Sequence, residues 1–289
     1  MNGFVRFVGI DWSGAKGARL KGLAVAEAAA GFASPVLAKP AGGGNWSREA
    51  IAAFISEDLT AREGRSIVGI DSAFSLPFED KGLYLPGADL PEAALGLWAA
   101  IEAASPDPHF YGGGFVEAHR DHYHRAGGKG VAYERRLRVP EVLSIKAGHG
   151  PCESVFHLIG PSQVGMSGLS TIRMLHRLRG VPGIAIWPFD GPATIAEAKV
   201  VIVEIYCGAF ARMGGHKGKF RTREHIDSAL LTLNSYPLMG DHPPMDDNAA
   251  DALVTAAGLR HIAHQPKYWN PPGLSDRVRA TEGWIFGVI

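Results

Sequence analysis

Along residues 4–71 the chain alternates apolar runs of strand length with one apolar stripe of helical spacing. Phe4-Val-Arg-Phe-Val-Gly-Ile-Asp11 is a short apolar run closed by a carboxylate, and Trp12-Ser-Gly14 turns directly after it. Arg19–Glu27 and Phe32–Lys39 read as two further strands parted by Gly31, so the opening is expected to be a three-stranded antiparallel meander. Between Ser47 and Glu63, the residues Ile51, Phe54, Ile55 and Leu59 share one helical face, and Gly64 stops the helix. Ser66–Asp71 is almost continuously apolar, the pattern of a central parallel strand. A right-handed crossover through the helix lays this fourth strand beside the first.

The rhythm breaks between residues 77 and 192. Pro91–Ala104 and Ser162–Arg179 have helical spacing, Glu153–Ile159 and Gly183–Phe189 have strand character, and Glu117–Arg138 is dense in His, Arg and Lys. This stretch is read as a large insertion between the fourth and fifth core strands. Lys199–Tyr206 then gives a buried strand interrupted by Glu204. Helices are expected over Arg221–Leu233 and Asp246–His264, and a last strand over Glu282–Ile289. The expected fold class is α/β: one domain over residues 1–289, with a mixed sheet and flanking helices.

Composition narrows the classes. Hydrophobic residues make up 46% and charged residues 20%, which is ordinary for a globular protein. No apolar run approaches the ~18 residues of a membrane span, and no signal peptide is evident, so a cytoplasmic location without membrane association is expected. The cysteines, Cys152 and Cys207, lack metal-ligand spacing. The 29 basic and 29 acidic residues cancel, which argues against a dedicated nucleic-acid binder with a basic domain. An enzyme that touches phosphates locally stays open.

The candidate chemistry lies at the ends of the predicted strands. Val8-Gly-Ile-Asp11 recurs letter for letter as Val68-Gly-Ile-Asp71. If the first and fourth strands are neighbours, the two aspartates meet at the sheet edge where open α/β sheets bind ligands. Glu204 lies inside an apolar strand, where an unpaired carboxylate is costly. On the last long helix Asp247, Ala250, Asp251 and Val254 fall on one face, so Asp247 and Asp251 face inward, while Asp246 caps the helix start. Carboxylates gathered this way suit Mg²⁺ or Mn²⁺, and two such ions ~4 Å apart activate water and stabilise the leaving oxygen of a phosphodiester. Two basic segments, Arg120 to Arg138 and Arg212 to Arg223, flank the group. Arg135, Arg136, Lys217 and Arg221 from these segments, with Ser13 and Lys16 of the first turn, are the candidate phosphate contacts. The spacing of that turn does not match a P-loop. His119-Arg-Asp-His122-Tyr-His124 reads as a solvated loop, since it lacks the spacing of a closed zinc site.

These residues carry a resemblance. Val8–Gly14, Ile70–Pro77, Val203–Tyr206 and Asp247–Leu253 together resemble the ribonuclease-H-like superfamily, and within it the family known as domain of unknown function 429. Asn248 stands where the final helix of related junction resolvases has an aspartate. The resemblance implies a ribonuclease-H-like fold and a nuclease-type site. In that site Asp11, Asp71, Glu204 and Asp251 are catalytic metal ligands, joined by Asp247. The expected activity is metal-dependent phosphodiester hydrolysis, with nucleic acid or another phosphoester as substrate. Two alternatives remain open at this point: an actin-like or sugar-kinase-like ATP-dependent phosphotransferase, and a non-catalytic ribonuclease-H-fold binding protein.

Overall fold

The structure, a computed structural model, describes residues 3–160, 164–240 and 246–289. The meander is β1 (Phe4–Asp11), β2 (Ala24–Ala29) and β3 (Val36–Leu37), followed by α1 (Arg48–Ala53), which runs on as a π-helical turn over Phe54–Leu59. The strand β4 (Arg65–Asp71) then leads into a long stretch with α2 (Ala94–Ala104), α3 (Gly113–Ala118), the hairpin β5 (His124–Arg125) and β6 (Gly128–Lys129), α4 (Val139–Lys146) and α5 (Val164–Leu178). The chain returns to the sheet through β7 (Ile184–Trp187), α6 (Pro192–Glu197) and β8 (Val200–Ile205). It closes with α7 (Cys207–Met213), α8 (Arg223–Thr232), α9 (Asp247–Ile262), α10 (Pro266–Trp269) and α11 (Asp276–Thr281). No described helix is long and apolar enough to cross a membrane.

The main sheet has six strands in the order β3-β2-β1-β4-β8-β7. The β1-β2 and β2-β3 pairs are antiparallel, and β1, β4, β8 and β7 are mutually parallel. The expected meander and crossover are thus present, and β4 does lie beside β1. Residues 184–187, within the stretch expected to be an insertion, form the edge strand next to β8.

Side chains alternate across the sheet, so each face has its own core. Val8, Ile10, Val68, Ile70, Val200 and Ile202 pack on one side with α2, α5 and the α1 helix. Phe7, Ile67, Val201, Val203 and Ile205 pack on the other with α7, α8 and α9. Gly9 and Gly69 are register partners on this second face. A Cβ on Gly9 would lie 2.4 Å from the Ala252 carbonyl oxygen of α9, and one on Gly69 2.8 Å from the Leu259 side chain. The glycine row therefore lets α9 lie unusually close to the sheet.

Several expected elements are shorter or absent. The second and third strands lose their outer residues, because the chain turns at Lys21-Gly22 and Arg19 bonds the Gly43 and Asn45 carbonyls. Glu153–Ile159 forms a single bridge, His157 to His124, and Glu282–Ile289 another, Ile285 to Glu204. The last segment is held by burial of Trp284 and Phe286 instead of by a ladder. The helix expected from Ser162 is described from Val164, and residues 162–163 lie outside the described residues. The helices α4 and α7 were not expected, although Pro140 and the back-bonding Glu141 are helix-start signals.

Candidate carboxylate site

Asp11 and Asp71 are register partners at the C-terminal ends of β1 and β4. Both follow the glycine row by two residues, so both point to the face covered by α9. The Asp11 and Asp71 carboxylates and the Cys207 sulfur at the start of α7 lie within 4.8 Å of one another. Asp251 approaches from α9, close enough for its charge to act on Asp11. The glycine row is the sequence signal that places it there: the repeated Val-Gly-Ile-Asp carries both the carboxylate and the gap that admits the helix.

The group is electrostatically unbalanced. Burial, then the Asp71, Asp251 and Asp246 charges, push the Asp11 pKa up to about 9. Burial and the Asp71 and Asp247 charges push Asp251 up to about 7, against a lowering by Lys219. Burial raises Asp71 to about 6, with the Cys207 thiol and amide drawing it back. Among the described residues no Lys or Arg forms an ion pair with these three aspartates. Desolvated carboxylates at this density, without a cationic side chain between them, fit a hard divalent cation. The Cys207 thiol is buried, and its pKa is raised well above the usual value. Its sulfur lies 3.2 Å from Thr255 Oγ1, so the residue is a poor thiolate nucleophile.

Glu204 departs from its expected role. Its register partner is Ile70, one residue before Asp71, so its side chain leaves the sheet on the opposite face. There it is 2% exposed. It takes both Arg138 terminal nitrogens and accepts from the Phe74 amide at 2.9 Å. Arg138 also bonds Glu141. The correction is one of side-chain parity: Glu204 reaches the same cleft as the aspartates but spends its carboxylate on a guanidinium. Asp247 is likewise paired, with Lys219, and Asp246 caps α9 by accepting from the Ala249 amide.

An open cleft of about 500 Å³ lies over the group, bordered by Asp11, Ser13, Asp71, Ser72, Arg138, Glu204 and Asn248. Ser72 Oγ is buried there with no hydrogen-bond partner among the described residues. The turn after β1 is fastened from below. Arg48 is 0% exposed and donates to the carbonyls of Ser13, Ala15 and His109, while Trp12 Nε1 donates to Ser170 Oγ at 2.9 Å. Sequence reasoning missed Arg48 because an arginine on a predicted helix reads as surface.

The candidate phosphate contacts scatter. Ser13 borders the cleft, whereas Lys16 lies over the Tyr111 ring in a neighbouring cavity. Arg135 pairs with Glu153 at the cleft rim. Arg136 is a correction: it is buried, committed to Asp80 and to the Pro77, Leu83 and Tyr84 carbonyls, and does not border the cleft. Lys217 and Arg221 are exposed and do not border the cleft.

Comparison with family models, curated proteins and solved structures returned no match. The site is therefore interpreted from its own geometry.

Proposed function

We propose that the chain is a divalent-cation-dependent phosphodiester hydrolase on a ribonuclease-H-like fold, with Asp11 and Asp71 as the principal ligands. The observation that carries this reading is the pair itself: two carboxylates on adjacent parallel strand ends, with Asp11 pushed up to about 9 by burial and then by the Asp71, Asp251 and Asp246 charges. The order β3-β2-β1-β4-β8, antiparallel and then parallel, supports the fold assignment.

Mg²⁺ or Mn²⁺ held there would supply Lewis acidity toward a phosphoryl oxygen. Asp251 on α9, close enough for its charge to act on Asp11, would add a third oxygen ligand. The unpartnered Ser72 hydroxyl offers a donor to a substrate oxygen, and the open cleft admits an extended phosphoester.

The test is hydrolysis of a simple aryl phosphodiester and of single- and double-stranded DNA and RNA, with Mg²⁺ or Mn²⁺. Wild type should cleave at least one of these. Asp11→Asn and Asp71→Asn should each lower the rate by ~100-fold or more, the scale of losing a principal electrostatic contact. Cleavage untouched by both changes would remove the proposal. A second reading, a non-catalytic binding protein on the same fold, draws its support from the Arg138–Glu204 pair, which takes one carboxylate away from the cation. It is favoured if the cation binds and no phosphodiester is cleaved.

A further inference from the structure

The His-rich stretch takes no part in the carboxylate site, but one of its histidines finds a partner that the sequence did not suggest. The His124 amide donates to the Phe156 carbonyl at 2.9 Å, and the Leu158 amide donates to the His124 carbonyl at 2.9 Å. His124 and His157 thereby form a parallel bridge. The bridge fixes two imidazoles side by side, both partly exposed. Their Nδ1 atoms are 3.3 Å apart. The rings stand nearly perpendicular, at 81°, with centroids 4.9 Å apart.

This spacing has a chemical meaning. Two imidazole nitrogens bound at 2.0–2.1 Å to one tetrahedral ion must lie roughly 3.3–3.4 Å apart. Without an ion, a hydrogen bond between the two Nδ1 atoms needs one ring to donate and the other to accept. Partial burial, the His157 ring and Lys129 keep His124 below the usual histidine range, which favours the neutral, ligating form.

We propose that His124 and His157 form a site for a borderline transition-metal cation of the Zn²⁺, Ni²⁺ and Cu²⁺ class, distinct from the Asp11–Asp71 pair. Imidazole selects these ions over Mg²⁺ and Mn²⁺, so the two sites sort cations by donor chemistry. Among the described residues no third His, Cys, Asp or Glu side chain completes this group. Water takes the other positions, and the site is weaker than a closed structural zinc site. An ion there ties the β5-β6 hairpin to the segment around His157. Val155 of that segment borders the carboxylate cleft. Leu158 and Ile159, with Arg125 of the hairpin, border the neighbouring cavity of about 790 Å³. The ion is thus a clip on chain that walls both cavities.

Isothermal titration with Zn²⁺, in excess Mg²⁺, tests this. Wild type and Asp11→Asn should each bind one equivalent at this site, and His124→Ala and His157→Ala should each weaken it by roughly tenfold or more. Equal Zn²⁺ binding by wild type and both histidine variants would overturn the proposal, as would its loss in Asp11→Asn. A second measurement needs no variant: Ni²⁺ added to wild type should broaden the NMR ring signals of His124 and His157 first. Broadening that begins at His216 and His225, whose rings lie 4.8 Å apart at a 38° tilt, would contradict the assignment.

Discussion

Arg138 divides its guanidinium between Glu141 and Glu204, so removing it leaves two buried carboxylates without a cation. Breaking a buried pair from one side costs about 3–5 kcal/mol. Arg138→Met should show that loss in urea unfolding, and Arg138→Met with Glu204→Gln should recover part of it. A loss under ~1 kcal/mol would mean the pair does not hold the fold. Glu204 also marks where single-residue reasoning stops. An apolar strand with one carboxylate announces a partner, but whether that partner is a metal or an arginine depends on register, and a shift of one residue reverses the face. Asp11 and Asp71 were legible because an identical repeat on two strands needs only pairing in phase to bring them together.

At the level of elements, the approach of α9 to β1 and β4 decides whether Asp251 reaches the pair. Gly9→Ala drives a methyl into the α9 backbone at the Ala252 carbonyl and the Ala256 nitrogen, whereas Gly69→Ala meets the side-chain ends of Leu259 and Ile205. Overpacking costs typically 1–3 kcal/mol. Gly9→Ala should fall at or above the top of that range and Gly69→Ala near the bottom, as read by thermal unfolding. Equal costs would show that α9 yields as easily as a side chain. The strands and the long helices were readable from periodicity. Between β4 and β7 only α2 and α5 were; the rest of that stretch was not, because it is held by single side chains reaching distant backbone. Glu282 accepts from the Phe78, Glu79 and Val139 amides. Arg173 donates to the Asp107 and Tyr111 carbonyls. Such contacts have no period, so they leave no pattern to read.

For the whole molecule, the balance of 29 basic and 29 acidic residues is realised as local pairing. In the basic segments Arg125, Arg135, Arg136 and Arg223 are spent on Glu117, Glu153, Asp80 and Asp227. The aspartate group is the exception, and it shapes the pH dependence of the metal-free protein. Folded Asp11, Asp251 and Asp71 keep protons to about 9, 7 and 6, whereas unfolded aspartate loses its proton near ~3.9. Between these limits the folded state binds more protons, so the contribution of the group to stability falls as pH rises. The fall is steepest between roughly pH 4 and 6, where all three differ, and ends above about 9. Asp11→Asn should therefore be more stable than wild type at pH 8 without metal, by at least ~1.4 kcal/mol, the value of one pKa unit. The gain should vanish near pH 4 and shrink when Mn²⁺ is added. A pH-independent difference between the two proteins would contradict this origin.

The most direct test of the cation site is a crystal soaked in Mn²⁺ and measured for anomalous scattering. The predicted result is a peak in bonding contact with both the Asp11 and Asp71 carboxylates in wild type, absent from Asp11→Asn. No peak between them at saturating Mn²⁺, or one that persists unchanged in Asp11→Asn, would contradict it.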